Sequence, residues 1–144
     1  MVLHYPLLFT VFIRNFIHSG SRMKEEIKRW FTKAKSDLKQ AKDNVAIGNY
    51  DLASFLSQQA TEKALKAYQL KKEDQFSKTH DILFLSRRLG LPDGLIEKCD
   101  KLNPVYIETR YPDASGQLEE FSKEEAVDDI AIAQEVVEWI IKNL

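Results

Sequence analysis

Three groups of side chains in this sequence have the types and spacing for chemistry on a phosphate. Gln58, Gln59, Lys63 and Lys66 interrupt one helical stretch at steps that place several of them near its packed faces. His80 stands alone before an apolar helical run. Arg110-Tyr111-Pro112-Asp113 closes a helix and opens a loop. An Arg fork matches phosphate oxygens in a bidentate manner, a Tyr ring can stack on a base, and a His can carry a proton at neutral pH. Each group also has a plain structural role available. The lysines could form a solvated face, His80 could be a capping or satisfied core histidine, and Arg110 could be an ion-pair partner or a C-terminal helix cap, where a cation is favoured.

Other chemistries lack their patterns. There is no GxxxxGK[ST] loop and no GxGxxG turn, and five glycines leave little room for either. HExxH, CxxC and Glu-x-x-His spacings are absent, so neither a zinc site nor a di-iron bundle is indicated, and no metal or cofactor is expected. The three histidines, His4, His18 and His80, lie far apart. No nucleophile-elbow spacing points to a Ser-His-Asp enzyme. The single cysteine, Cys99, lies in a helical pattern and reads as a small buried residue rather than a nucleophile.

The elements that must position these residues are helices. From Met23 onward the apolar period is helical almost throughout. Ile27, Trp30, Phe31, Ala34, Leu38, Ala41 and Val45 form one stripe of a first helix over about 24–47, stopped by Gly48. A second helix, capped by Asn49 or Asp51, is expected to reach about Leu70. It carries a large ridge (Leu52, Phe55, Leu56) and a small one (Ala53, Ala60, Ala64, Ala67) that lets a neighbour approach closely. The short break makes these two an antiparallel hairpin. Residues 71–78 read as a polar loop, and a third helix over 79–89 places His80 in its first turn, with Gly90 as its stop. Pro92 opens a fourth helix, Pro104 kinks or restarts it, and 112–121 is a loop. Ser122 and Glu125 form a capping box for the last helix, whose predicted inner face is Val127, Ile130, Gln134, Val137, Ile141 and Leu144. No strand alternation of useful length appears. The expected fold is all-α, four or five helices in an up-and-down bundle.

With 144 residues the chain is one domain, large enough to bury a core without disulfide or metal. Its net charge of −1 supplies no global field toward nucleic acid, so any RNA contact must come from a local site. One cysteine excludes an intramolecular disulfide and fits a reducing, cytoplasmic setting. Residues 1–22 differ in character, apolar with Arg14 and Arg22 and no acid. The run from Val2 to Ile13 is too short to span a bilayer and is broken by His4 and Pro6, and it lacks the marks of a secretory signal. It reads as an ordered arm, a membrane-surface segment or an upstream extension. The last is preferred, with Met23 as the natural start of a 23–144 domain. Without it, 19 basic residues face 22 acidic ones, net −3.

Taken in order, the motifs resemble the HEPN family (higher eukaryotes and prokaryotes nucleotide-binding domain). They are Trp30 to Leu38, Gln58 to Ala67 (QQATEKALKA), His80 to Leu85 and Arg110 to Asp113. The resemblance covers nearly all of Met23 to Leu144. It implies a helical bundle that commonly forms a homodimer, with one of three roles: metal-independent ribonuclease, often a toxin; companion of a small nucleotidyltransferase; or nucleotide binder. The family's ribonucleases carry an Arg followed, after a short stretch, by a His. No histidine follows Arg110, Arg87 or Arg88 at such a spacing, and Arg14 and His18 stand too close together. The standard catalytic pair is missing. A binding and assembly module, with Lys63, Lys66, His80, Arg110 and Tyr111 lining a polar groove for a nucleotide, RNA or a nucleotidyltransferase surface, is therefore placed ahead of an endoribonuclease with a rearranged Arg110/His80 site. In a third reading, Arg110 and Tyr111 only tie the loop to the bundle.

Overall fold

The computed structural model describes residues 21–111 and 121–144. The apolar arm (1–20) and the predicted loop over 112–120, with Pro112 and Asp113, lie outside the described residues. The described residues form six helices and no strand: α1 (Ser21–Ala46), α2 (Tyr50–Glu73), α3 (Ile82–Arg88), α4 (Asp93–Leu102), α5 (Val105–Arg110) and α6 (Lys123–Asn143). The long helices α1, α2 and α6 make the bundle, and the three short ones take the place of a fourth.

The α1 stripe is buried as its spacing requires: Ile27, Phe31, Ala34, Leu38 and Ala41 all face inward. Opposite them Ala53, Ala60, Ala64 and Ala67 of α2 are fully covered, so no Cβ branch holds the two helices apart. Gly48 turns the chain between them at φ +85°, a left-handed conformation that suits glycine. The hairpin is antiparallel, with Asp37 opposite Lys63 and Trp30 opposite Lys66. Helix α6 runs in the same direction as α2, since Ala133 clusters with Ala60 and Trp139 meets Tyr68 ring edge to face at 5.5 Å. Leu65, Ile82, Leu85, Leu102 and Ile140 are fully buried where these layers meet. Each contributes about 1.5–3 kcal/mol relative to exposure.

Several boundaries differ from the sequence expectation. Helix α2 continues through Lys71, Lys72 and Glu73 and ends on Asp74, left-handed at φ 57°. The polar loop expected over 71–78 is thereby displaced to 74–81. Asn49 precedes α2 without a side-chain cap bond, and Asp51 accepts only from the adjacent Leu52 N–H. The third helix starts at Ile82, because Asp81 accepts the Phe84 N–H at 2.9 Å and fixes the N-terminus there. His80 is thus not in a first turn. It lies before the cap, in the extended connection. Pro104 restarts the chain as α5. The Ser122 cap is present, its Oγ accepting the Glu125 N–H at 3.1 Å.

The inner face of α6 is Ala126, Ile132, Ala133, Val136, Val137, Ile140 and Ile141, and Val127 is 47 % exposed. The helix packs against α1, α2 and α4 together, so its buried surface is a broad sector rather than the single stripe expected.

Candidate functional site

The polar residues of α2 are not a solvated face. Ser54, Ser57, Gln58, Thr61, Glu62, Lys66 and Gln69 are all buried. Connection 74–81 folds back over α2, and the polar side chains beneath hold it there. Gln69 accepts the Ser77 N–H at 2.9 Å and donates to Ser77 Oγ and Glu73. Gln58 donates to the His80 carbonyl at 3.2 Å, and Gln59 donates to Gln58. Glu62 Oε1 lies 2.9 Å from His80 Nδ1, while Lys66 Nζ donates to Glu62 Oε2 at 3.1 Å. Each of these bonded groups has a partner, which is the condition for burying it at modest cost.

From the other side, Asn103 between α4 and α5 accepts the Ile82 N–H at 2.9 Å and donates to Asp81 at 3.1 Å. That clamp brings α5 against the connection. The His80 ring stacks on Tyr106 with centroids 4.4 Å apart and planes 15° from parallel. One turn on, the Arg110 guanidinium sits 5.5 Å from the Tyr106 ring and 5.6 Å from Phe55. Phe55 and Tyr106 lie 6.3 Å apart and form its floor. A cation over aromatic faces is held at about 0.5–1 kcal/mol per ring when exposed. Among the described residues, Arg110 has no carboxylate partner.

The five residues expected to line a groove fall into two layers. His80, Arg110 and Tyr111 are at the surface, with the His80 side chain 53 % exposed. His80 and Arg110 each contact the Tyr106 ring. Lys63 and Lys66 lie beneath. The Lys66 side chain is 5 % exposed, paired with Glu62 and covered by Trp30 and Phe76, whose ring centres are 5.6 and 5.8 Å from its Nζ. Lys63 is bonded to the buried Asp37, which also takes Lys33 at 3.1 Å. Both charges are already matched. Tyr111 projects half-exposed just past α5.

Four residues of this arrangement were not read as site residues in the sequence: Glu62, Asp37, Tyr106 and Phe55. Three had a visible signal. Glu62 precedes Lys66 by four, Tyr106 precedes Arg110 by four, and Asp37 follows Lys33 by four, the spacing of same-face partners on a helix. Phe55 had none.

Two groups outside this arrangement, Cys99 and Asp129, are strongly perturbed. Burial pushes the Cys99 thiol up to about 11, against a smaller opposing effect of Ser86, so it is no nucleophile at neutral pH. Burial also pushes the Asp129 carboxyl up to about 6. The nearby Ser54 hydroxyl opposes that shift, while Glu125, Asp128 and Glu108 add to it. Ser54 Oγ is fully buried and has no hydrogen-bond partner of good geometry. No set of three or more His, Cys, Asp or Glu side chains among the described residues is arranged to hold a metal ion.

The family model described as HEPN domain matches residues 27–144. The chain belongs to the HEPN family. Solved chains share its fold. The crystal structure of TT1696 from Thermus thermophilus is 31 % identical with a TM-score of 0.78, over 83 % of this chain and 98 % of that one. ST0689, an archaeal HEPN homologue, is 29 % identical with a TM-score of 0.68, over 82 % of this chain and 97 % of that one. No curated protein matches the chain. In this HEPN domain the Gln58–Ala67 motif has a definite structural task, since it seats connection 74–81 and with it His80. No helix among the described residues is long and apolar enough to cross a membrane.

Proposed function

We propose that this HEPN domain is a binding module for a phosphate-bearing ligand, a nucleotide or RNA, held at the surface by Arg110, His80, Tyr106 and Tyr111. The observation that carries the reading is Arg110: a guanidinium held on two aromatic rings, one of which also stacks on an exposed imidazole, and without a carboxylate among the described residues. Arg in this setting takes a phosphate, and the flanking rings offer a stacking surface. Lys63 and Lys66 belong to the layer that shapes the site. The domain works as a cytoplasmic homodimer, with a small nucleotidyltransferase as the alternative occupant of the same surface. A nitrogen-15 spectrum of the folded domain, titrated with adenosine nucleotides and with a short RNA, tests this. Shifts confined to α5 and 79–81 that vanish in Arg110→Ala support it. Shifts that persist there in Arg110→Ala remove Arg110 from the site.

A second reading, a metal-independent endoribonuclease, is favoured by one feature, the carboxylate behind His80. His80 Nε2 would take the proton of a ribose 2′-hydroxyl as its oxygen bonds to the adjacent phosphorus. The bond to the 5′-oxygen breaks, that oxygen leaves with a proton supplied by water, and a 2′,3′-cyclic phosphate remains, with Arg110 on the phosphate oxygens. Cleavage of labelled RNA in metal-free buffer, lost in both Arg110→Ala and His80→Ala, would establish this reading. Cleavage that survives His80→Ala would refute it.

A further inference from the structure

We infer that Glu62 is a positioning residue for His80: it fixes the imidazole with its proton on Nδ1 and so leaves Nε2 of this half-exposed ring unprotonated. The Lys66 ammonium and the Glu62 carboxylate are both buried, at 5 % and 4 % side-chain exposure, and 3.1 Å apart. Placing a proton on Glu62 would strand a buried ammonium, which is strongly disfavoured. Glu62 is therefore an acceptor only. The His80 Nδ1 facing Glu62 Oε1 at 2.9 Å must then be the donor. A neutral imidazole has one proton to place, so Nε2 carries the lone pair.

The seating leaves the ring little choice. Gln58 holds the His80 carbonyl at 3.2 Å, Tyr106 covers one face of the ring, and Asn103 pins the next two residues. A flipped ring would turn a carbon toward the carboxylate and lose the bond. The fixed tautomer is the less common one, because a histidine side chain free in water prefers its proton on Nε2. Lys66 thus has a role its burial hides: by keeping Glu62 an anion it sets the chemistry of an exposed ring it does not touch. An Nε2 lone pair accepts from a hydroxyl donor, so the site is suited to a ligand that offers a hydroxyl near its phosphate, as a nucleoside 3′-monophosphate does. This last step rests on the ligand reading above, whereas the tautomer does not.

The test is a two-bond proton–nitrogen-15 correlation spectrum of the histidine rings of the full chain in mildly alkaline buffer, with His80→Gln to assign the signal. The result expected is a protonated Nδ1 and a lone-pair Nε2 for His80, reverting to the Nε2-protonated form in Glu62→Gln, whose amide can donate to Nδ1. Nε2 protonated in the wild type, or a tautomer unchanged by Glu62→Gln, overturns the inference. The wild-type spectrum decides even if the variant fails to fold. Binding of adenosine 3′-monophosphate, followed in parallel, should weaken by about tenfold in Glu62→Gln, the loss expected for one misdirected hydrogen bond. Equal binding overturns the link to the ligand. Absence of binding by the wild type overturns the ligand-site reading itself and leaves the tautomer standing on its spectrum.

Discussion

Replacing Lys66 by methionine separates two roles that a lysine in this motif could have. The side chain is buried, its ammonium is bonded to an equally buried Glu62, and its Nζ lies against the Trp30 and Phe76 rings. Methionine keeps the volume and the contact with both rings but leaves the carboxylate with His80 as its remaining partner. Breaking a buried pair by removing one member costs about 3–5 kcal/mol. The retained His80 bond and the thioether packing reduce this to about 2–4 kcal/mol. For a domain of this size that is a fall in Tm on the order of 10 °C. Urea and thermal unfolding of Lys66→Met, Glu62→Gln and the double variant measure it as a cycle. The double variant should recover at least half the loss, because an amide buried without an unmatched charge is far less costly. A Lys66→Met protein within about 0.5 kcal/mol of wild type would refute the buried pair. If that stable variant also lost nucleotide binding, Lys66 would be a ligand contact and not a support.

The other predictions concern Asp129 and a turn. The folded-state Asp129 carboxyl is raised from 3.8 to about 6, so between those values the folded chain binds more protons than the unfolded one, and stability falls as pH rises through that window. The displacement corresponds to about 3 kcal/mol at most, and partial exposure reduces it to about 1–2 kcal/mol. Asp129→Asn should therefore stabilise the domain by that amount at neutral pH and leave it nearly unchanged at about pH 4, and equal effects at both would contradict the assignment. Gly90 turns from α3 toward α4 at φ +71° with open space around its Cβ position, so Gly90→Ala should cost about 1 kcal/mol through backbone conformation alone, read by urea unfolding.

The sequence displayed what depends on local pattern. The α1 stripe, the glycines after α1 and α3 and the Ser122 cap are all decided within a few residues, and each is where the spacing places it. Other features depend on a segment distant in the chain. Gln58, Lys63 and Lys66 look like a wetted face until connection 74–81 is laid over Gln58 and Lys66 and Asp37 of α1 meets Lys63, and no local period carries that information. Val127 reads as apolar and inward, yet the direction in which α6 faces is set jointly by α1, α2 and α4. Of the site, Arg110 and His80 were visible as chemical types, and bundle topology allowed them to meet. Tyr106, the ring both lie against, was visible only as the residue one helical turn before Arg110.

The most direct test of the account is the affinity of the folded domain for a labelled single-stranded RNA and for adenosine 3′-monophosphate, wild type against Arg110→Ala, with Tm recorded for each. A drop of tenfold or more in Arg110→Ala, with Tm lowered by no more than a few degrees, is the result predicted for an exposed phosphate-binding guanidinium. Unchanged affinity, or a variant that loses binding only because it unfolds, would contradict a ligand role for Arg110 and return it to a tie between α5 and α2.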